Sequence, residues 1–424
     1  MSLNYNNPLT EKNMLKASFG LEKESLRIDK DGFLSHTKHP FESNRNIDRD
    51  FCENQIEIIT DVFENADDLY KNLEEIQSYI TKSLSELKTG QEFLWNFSNP
   101  PYVKGENDIP VASFKGDLKS KELYRNYLAE KYGKKKMLFS GIHFNFSFDD
   151  ELLKIGFNES GFSDYKQYKN NVYLQLAKQL TKYSWLIVYL MSASPVTDVS
   201  FFDYTDIGKT VVTEYSSIRC GKEGYWNDFV PVLKYTTIEE YIKNIQEYIN
   251  SGRLASVSEL YYPIRLKPKG ENSLDNLVNS GVNHIELRML DINPLSPVGI
   301  KKEDIYFLHL LIVYLSSLED IEFDEKEQIE AVENIKNSSL LDDKRIHIKS
   351  GGKLLPVKEE TLKILENTEN FFNKHSYKKA LQIINYQKDK LLKQDNRYAV
   401  IVKNKFGNDY VKKGIELSRK YLKA

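Results

Sequence analysis

Ser18-Phe19-Gly20-Leu21-Glu22-Lys23-Glu24-Ser25-Leu26-Arg27-Ile28 is the run around which the rest of the chain is organised. Gly20 and the alternating apolar residues predict a turn or bulge feeding a strand. Side chains two apart in a strand share a face, so Glu22 and Glu24 project together. Two neighbouring carboxylates repel, and burying them without compensation is expensive. The compensating charge can come from Lys23 or Arg27 folding back, from an arginine elsewhere in the chain, or from bound divalent cations. The plainer reading, a solvated edge strand with incidental acids, weakens because the same pattern recurs in three other places.

The second place is Ile47 to Thr60, which holds Asp50, Glu53 and Glu57. Within it, Ile56 and Ile58 face one side of a strand and Glu57 the other. The third is Ser140 to Phe148, where Ile142, Phe144, Phe146 and Phe148 alternate with His143, Asn145 and Ser147. A face that is polar but uncharged suits a cavity wall better than an outer surface. The fourth is His284 to Pro297, whose strand pattern sets Glu286 and Arg288 opposite Ile285, Leu287 and Met289.

The whole chain narrows the classes of function. Its 424 residues are enough for one large core or two ordinary ones, and a net charge of -3 gives no electrostatic case for nucleic acid or an anionic membrane. Two cysteines, Cys52 and Cys220, are too few for a disulfide scaffold and suit a reducing compartment. No signal peptide is expected at the N-terminus. The apolar stretch Trp185 to Met191 is too short to span a bilayer. A cytoplasmic protein with a single domain over 1–424 is therefore expected, since neither a repeat nor a linker interrupts the chain.

Between the acidic strands the pattern is helical. Leu69, Leu73, Ile76, Ile80, Leu84 and Leu87 recur every three or four residues between Asp67 and Leu87. Further helices are predicted over Lys121–Tyr132, Asp164–Met191 and Lys302–Leu318, and from Thr237 with a capping box to Glu240. Lys30-Asp31-Gly32 reads as a hairpin turn, and Phe93 to Gly116 as a long loop of the kind that often serves function. Tyr215 to Gly221 sets Arg219 in a small-residue, glycine-bounded segment suited to gripping a carboxylate bidentately, although a surface salt bridge would read the same way. Lys349-Ser350-Gly351-Gly352-Lys353 lacks the strand and the GxxxxGK[ST] spacing of a phosphate loop, and no phosphate contact is expected there.

If the four polar strand faces belong to one sheet, it encloses at least four carboxylates, a histidine and an arginine. That donor set suits Mg²⁺ or Mn²⁺, with neither the HExxH pattern nor the cysteine cluster of a zinc site. Acidic metal ligands beside an arginine are the equipment of phosphoryl transfer.

The same residues carry a resemblance. Gly20 to Arg27, Asp50-Phe51 through Glu57, Ser140 to Ser147, Ser217-Ile218-Arg219 with Gly224-Tyr225, and Glu286 to Pro294 occur in order, and together they resemble bacterial glutamate–cysteine ligase. The resemblance implies an α+β fold like that of glutamine synthetase, with a curved antiparallel sheet forming a funnel and helices on its outer face. It implies ATP, Mg²⁺ (or Mn²⁺) and a γ-glutamyl phosphate attacked by the amine of cysteine, the first step of glutathione synthesis. By matching motif positions, Glu22, Glu24, Glu57, His143 and Glu286 would be metal ligands, with Asp50 a further one. Arg288, beside Glu286, would contact the phosphoryl group, and Arg219 a carboxylate of glutamate. Phe51, Tyr124, Leu128, Tyr225 and Tyr261 would wall the cysteine pocket. Met137 stands where a polar glutamine is expected, which bears on thiol recognition. The chain resembles the first part of the bifunctional glutathione synthetases without their ATP-grasp extension, so it is expected not to add glycine. A monomer is favoured over an oligomer. A glutamate ligase for another amine, and an inactive binding or regulatory homologue, are the alternatives.

Overall fold

A computed structural model describes residues 3–42, 44–202, 206–393 and 396–422. Its strands are β1 (Ala17–Ile28), β2 (Ile47–Arg49), β3 (Gln55–Ile59), β4 (Phe93–Leu94), β5 (Gly141–Phe148), β6 (Val196–Asp198), β7 (Thr210–Val212), β8 (Ile264–Lys267), β9 (His284–Asp291), β10 (His347–Ser350) and β11 (Lys353–Pro356). Its helices are α1 (Pro8–Asn13), α2 (Ala66–Ser85), α3 (Lys119–Tyr132), α4 (Asp150–Ser160), α5 (Tyr165–Met191), α6 (Ile238–Asn250), α7 (Leu274–Ser280), α8 (Lys302–Ser317), α9 (Glu325–Ser338), α10 (Val357–Lys374), α11 (Lys379–Leu392), α12 (Tyr398–Phe406) and α13 (Tyr410–Leu422).

The four acidic or polar segments do share one sheet. Its order is β2-β3-β1-β5-β9-β8, with β4 pairing the end of β1, and the ladders are antiparallel throughout. Strand alternation sends Phe19, Leu21, Ile56, Ile58, Ile142, Phe144, Phe146, Ile285 and Leu287 to one side, where α2, α5 and α8 cover them. These residues are almost wholly buried, and their burial is the main force holding the sheet to its helices. The opposite face is left for polar groups.

Lys23 and Arg27 share the core side of β1, so neither folds back to the acids. Lys23 Nζ donates to Gln77 Oε1, and Arg27 forms a buried ion pair with Glu92 at 2.8 Å. Glu53 also leaves the acidic group: its carboxylate accepts the N–H of His39 and of Ser113. At its far end β1 delivers Leu26 and Ile28 to a second apolar cluster with Trp95, Phe97, Phe406, Tyr410 and Ile415. The 93–116 loop is largely buried there, its Asn99 donating to the carbonyls of Ser194 and Val196. It is packing material rather than a wall of the polar cavity, because its apolar residues have the C-terminal helices to pack against.

Thr237 caps α6 by accepting the Glu240 N–H at 3.2 Å, which is one half of the expected box. Gly351 and Gly352, at φ 56° and 78°, make the tight turn between β10 and β11. The glycine run is therefore a hairpin turn. Among the described residues, no helix is long and apolar enough to cross a membrane.

Candidate active site

On the polar face the register of the ladders places the functional groups opposite one another. Glu24 pairs with Glu57 across β1 and β3, Glu22 with His143 across β1 and β5, and Asn145 with Glu286 across β5 and β9. Glu22, Glu24, Glu57, His143 and Glu286 line a cavity of about 310 Å³ together with Asp50, Phe51, Tyr124, Leu128, Tyr225, Tyr261 and Arg288. Every proposed site residue except Arg219 lies on its wall. Arg219 lies next to it, in a small recess that Tyr225, Tyr261 and Arg288 share with the main cavity.

The roof comes from outside the sheet. Helix α3 contributes Tyr124 and Leu128, and is held down where Arg125 donates to the carbonyls of Asp50 and Arg49. Tyr225 and Tyr261 pack ring to ring at 4.2 Å. Met137 is buried in the same apolar cluster as Phe51, Leu128 and Tyr261.

Glu22, His143 and Glu286 each offer one ligand atom, and these atoms all lie within 4.8 Å of one another. His143 Nδ1 stands 3.1 Å from Glu22 Oε2, and Asn145 Nδ2 donates to Glu22 Oε1 at 3.0 Å. Nε2 of His143 and both carboxylate oxygens of Glu286 are buried and make no hydrogen bond among the described residues. Buried polar atoms are normally satisfied, so this arrangement points to a group that they would satisfy. Two carboxylates and an imidazole fit a hard divalent cation.

The electrostatics divide the acids into two sets. Burial alone would raise Glu286, yet Arg288, Lys267, His143 and Arg265 hold it well below the usual carboxylate range. Arg288 Nη1 lies 3.1 Å from Glu286 Oε2, and Lys267 Nζ 3.5 Å from Oε1. Burial also works against Glu22, but the His143 contact outweighs it and the carboxyl ends below normal. Glu24 and Glu57 have no cation so close among the described residues, although Arg219 and Arg288 act on Glu24 from further away. Burial and then Asp50 push Glu24 up to about 8, despite the Gly141 N–H it accepts at 2.8 Å. Burial, Asp50, Glu22 and Glu24 together push Glu57 far above its ordinary value. His143 is lowered by burial and by Arg288, so it is the neutral imidazole that a metal requires. A divalent cation near Glu24 and Glu57 would supply the charge they lack.

Sequence reading overlooked Lys267 and Arg265 on β8, which bring the cations that Lys23 and Arg27 do not. Their signal was legible: Ile264-Arg265-Leu266-Lys267 alternates with the same period as the other strands. Both line the cavity, but Arg265 is largely spent on the carbonyls of Leu260 and Ser258.

With this geometry in hand, comparison with known proteins is informative. The family model described as glutamate-cysteine ligase matches residues 4–255 and 230–338. A glutathione biosynthesis bifunctional protein of Clostridium perfringens is 34% identical over 440 residues, spanning 96% of this chain and 54% of that protein. Its counterpart in Listeria welshimeri is 37% identical over 347 residues, spanning 79% of this chain and 44% of that one. The chain thus spans about half the length of these bifunctional relatives.

Solved structures agree on the fold. A bifunctional glutathione synthetase from Pasteurella multocida superposes with a TM-score of 0.84 at 23% identity, over 99% of this chain and 54% of that one. The glutamate–cysteine ligase of Francisella tularensis, solved in complex with AMP, gives 0.83 at 23% identity over 96% and 88%. The motifs on the polar face and the extent of these matches lead to one assignment: the chain belongs to the glutamate–cysteine ligase family.

Proposed function

We propose that this chain joins the γ-carboxylate of glutamate to the amine of cysteine at the expense of ATP, giving γ-glutamylcysteine, ADP and phosphate. The observation that carries the reading is the cluster of Glu22, His143 and Glu286 ligand atoms within 4.8 Å, with Arg288 3.1 Å from Glu286 on the same cavity wall. The Francisella structure with AMP supports an adenine nucleotide as co-substrate. We take residues 1–424 as one catalytic unit acting as a monomer, and two free, buried cysteines suit a reducing cytoplasm.

Glu22, His143 and Glu286 would hold one Mg²⁺ or Mn²⁺, and Glu24, Glu57 and Asp50 would serve another. When bound, such ions neutralise and orient phosphate oxygens during in-line transfer. Arg288 would contact the transferring phosphoryl group as charge develops on it, with Glu286, 3.1 Å away, fixing the direction of its guanidinium. The γ-phosphoryl group passes to the γ-carboxylate oxygen of glutamate, and ADP leaves. The amine then attacks the acyl carbon, forming the amide C–N bond, losing a proton and expelling phosphate. Arg219 would hold the substrate's α-carboxylate, away from the ions. Phe51, Tyr124, Leu128, Tyr225 and Tyr261 exclude water around the incoming thiol-bearing amine.

An ADP-release assay across amino acids tests this. Release that needs both glutamate and cysteine is expected. Release with glutamate and a different amine would make the chain a related ligase, and the absence of any glutamate-dependent release would leave it a binding homologue.

A further inference from the structure

Arg219 sits between β7 and α6 in a segment that forms neither helix nor strand, so a ladder does not hold it in place. Its backbone is tied on one side, where the N–H groups of Ser216 and Ser217 both donate to the Ser339 carbonyl. On the other side the Ser194 N–H donates to the Ser216 carbonyl at 2.9 Å, and one carboxylate adds the side-chain tie. Asp291, the last residue of β9, accepts the Ser217 hydroxyl at 2.9 Å on one oxygen. Its other oxygen accepts the Ser194 hydroxyl at 2.7 Å and the Ala193 N–H at 3.0 Å. Ser217 Oγ in turn accepts the Cys220 N–H at 3.2 Å, closing the turn that carries Arg219.

Asp291 is 5% exposed and forms no ion pair among those of the described residues. A buried carboxylate is costly unless it is fully hydrogen-bonded, and these three donors meet that cost only while both segments stay docked. The consequence appears at the guanidinium. Arg219 Nη2 donates to the Arg288 carbonyl at 2.6 Å and Nη1 to that of Leu290 at 3.4 Å. The group lies flat against Gly141, where a Cβ would stand 2.4 Å from Cζ. Two of the five donors of an arginine are thereby used, and Arg219 lines the recess.

We propose that Asp291 is the positioning residue for Arg219: through Ser217 it fixes the arginine against β9 so that its remaining donors meet the α-carboxylate of the amino-acid substrate. Asp291 touches no substrate itself. The proposal rests on the role given to Arg219 above.

Steady-state kinetics of Asp291→Asn, Ser217→Ala and Arg219→Lys, singly and combined, test it. Asp291→Asn and Ser217→Ala should each raise the KM for glutamate about five- to twentyfold, with the KM for ATP within about twofold of the parent. In the Arg219→Lys background neither should add a further rise, because a geometry already lost cannot be lost again. If Asp291→Asn does not fold, Ser217→Ala, which removes one hydroxyl, carries the test. Equal rises in both KM values, or full additivity with Arg219→Lys, overturn the positioning role while leaving Arg219 in its own. An Arg219→Lys variant with an unchanged glutamate KM overturns instead the reading on which the proposal stands.

Discussion

Glu24 and Glu57 stand directly opposite each other across the β1–β3 ladder, Glu24 buried and Glu57 half-buried, and among the described residues the one neighbour of either in ion-pair range is the His143 ring, 3.8 Å from Glu24. Like charges in that position are destabilising, so the metal-free fold keeps protons there. Glu24 is held at about 8 by burial and by Asp50, against an ordinary 4.5. A folded-state pKa above the unfolded one means that the folded chain binds more protons between those values. Its contribution to stability is complete below about pH 4.5 and is lost as pH rises through about 8. Urea unfolding in EDTA should therefore show stability falling across that window. Saturating Mg²⁺ or Mn²⁺ should flatten the slope and release protons on binding, as calorimetry in buffers of different ionisation enthalpy would record. A slope unchanged by the cation would remove these two residues from the metal site.

Arg288 tests the phosphoryl end of the cavity. Its guanidinium is fixed by Glu286 and lies 3.4 Å from His143 Nδ1. Arg288→Lys keeps the charge and loses the planar fork, so turnover should fall about a hundredfold while the KM for glutamate changes little. A variant with parental turnover and a raised glutamate KM would move Arg288 to the amino-acid end.

The cysteines should be silent in the folded chain. Burial drives the Cys52 thiol far up, and burial with Asp291 nearby takes Cys220 to about 11. Thiolate is the reactive form, so a disulfide reagent at neutral pH should titrate neither thiol until denaturant is added, then both. Rapid reaction of one thiol in the native chain would contradict this burial.

Behind the sheet, Asp304 on α8 accepts from Lys390 at 2.8 Å, Gln387 at 3.0 Å and Tyr398 at 2.7 Å, fastening α11 and α12 to the core. Lys390→Ala would leave that carboxylate buried without its cation, at a cost of about 3–5 kcal/mol in urea unfolding. A loss below about 1 kcal/mol would show that the C-terminal helices are not coupled to the core through this pair.

The residues that face the cavity from β1, β3, β5 and β9 were legible in the sequence, because strand alternation is a local property with a period of two. Glu22 with Glu24, His143 with Asn145, and Glu286 with Arg288 needed only their neighbours to be assigned to one face. The helices α2, α5 and α8 were legible for the same kind of reason, with a period of 3.6. Which strand lies beside which was not local. His143 meets Glu22 across 121 residues of chain, and Arg288 meets His143 across 145. Only the long-range pairing order β3-β1-β5-β9-β8 decided that these faces close on one cavity. It also decided that Lys267 rather than Lys23 supplies a cation, since parity sends Lys23 into the core. Glu53 and Asp50 are equally acidic in the sequence, yet the packing of 36–39 and 111–113 turned Glu53 towards backbone N–H groups. The seat of Arg219 is the clearest case. Within Tyr215 to Gly221, Ser217 helps to hold it, but the anchors Asp291, Ser339 and Gly141 come from three other parts of the chain.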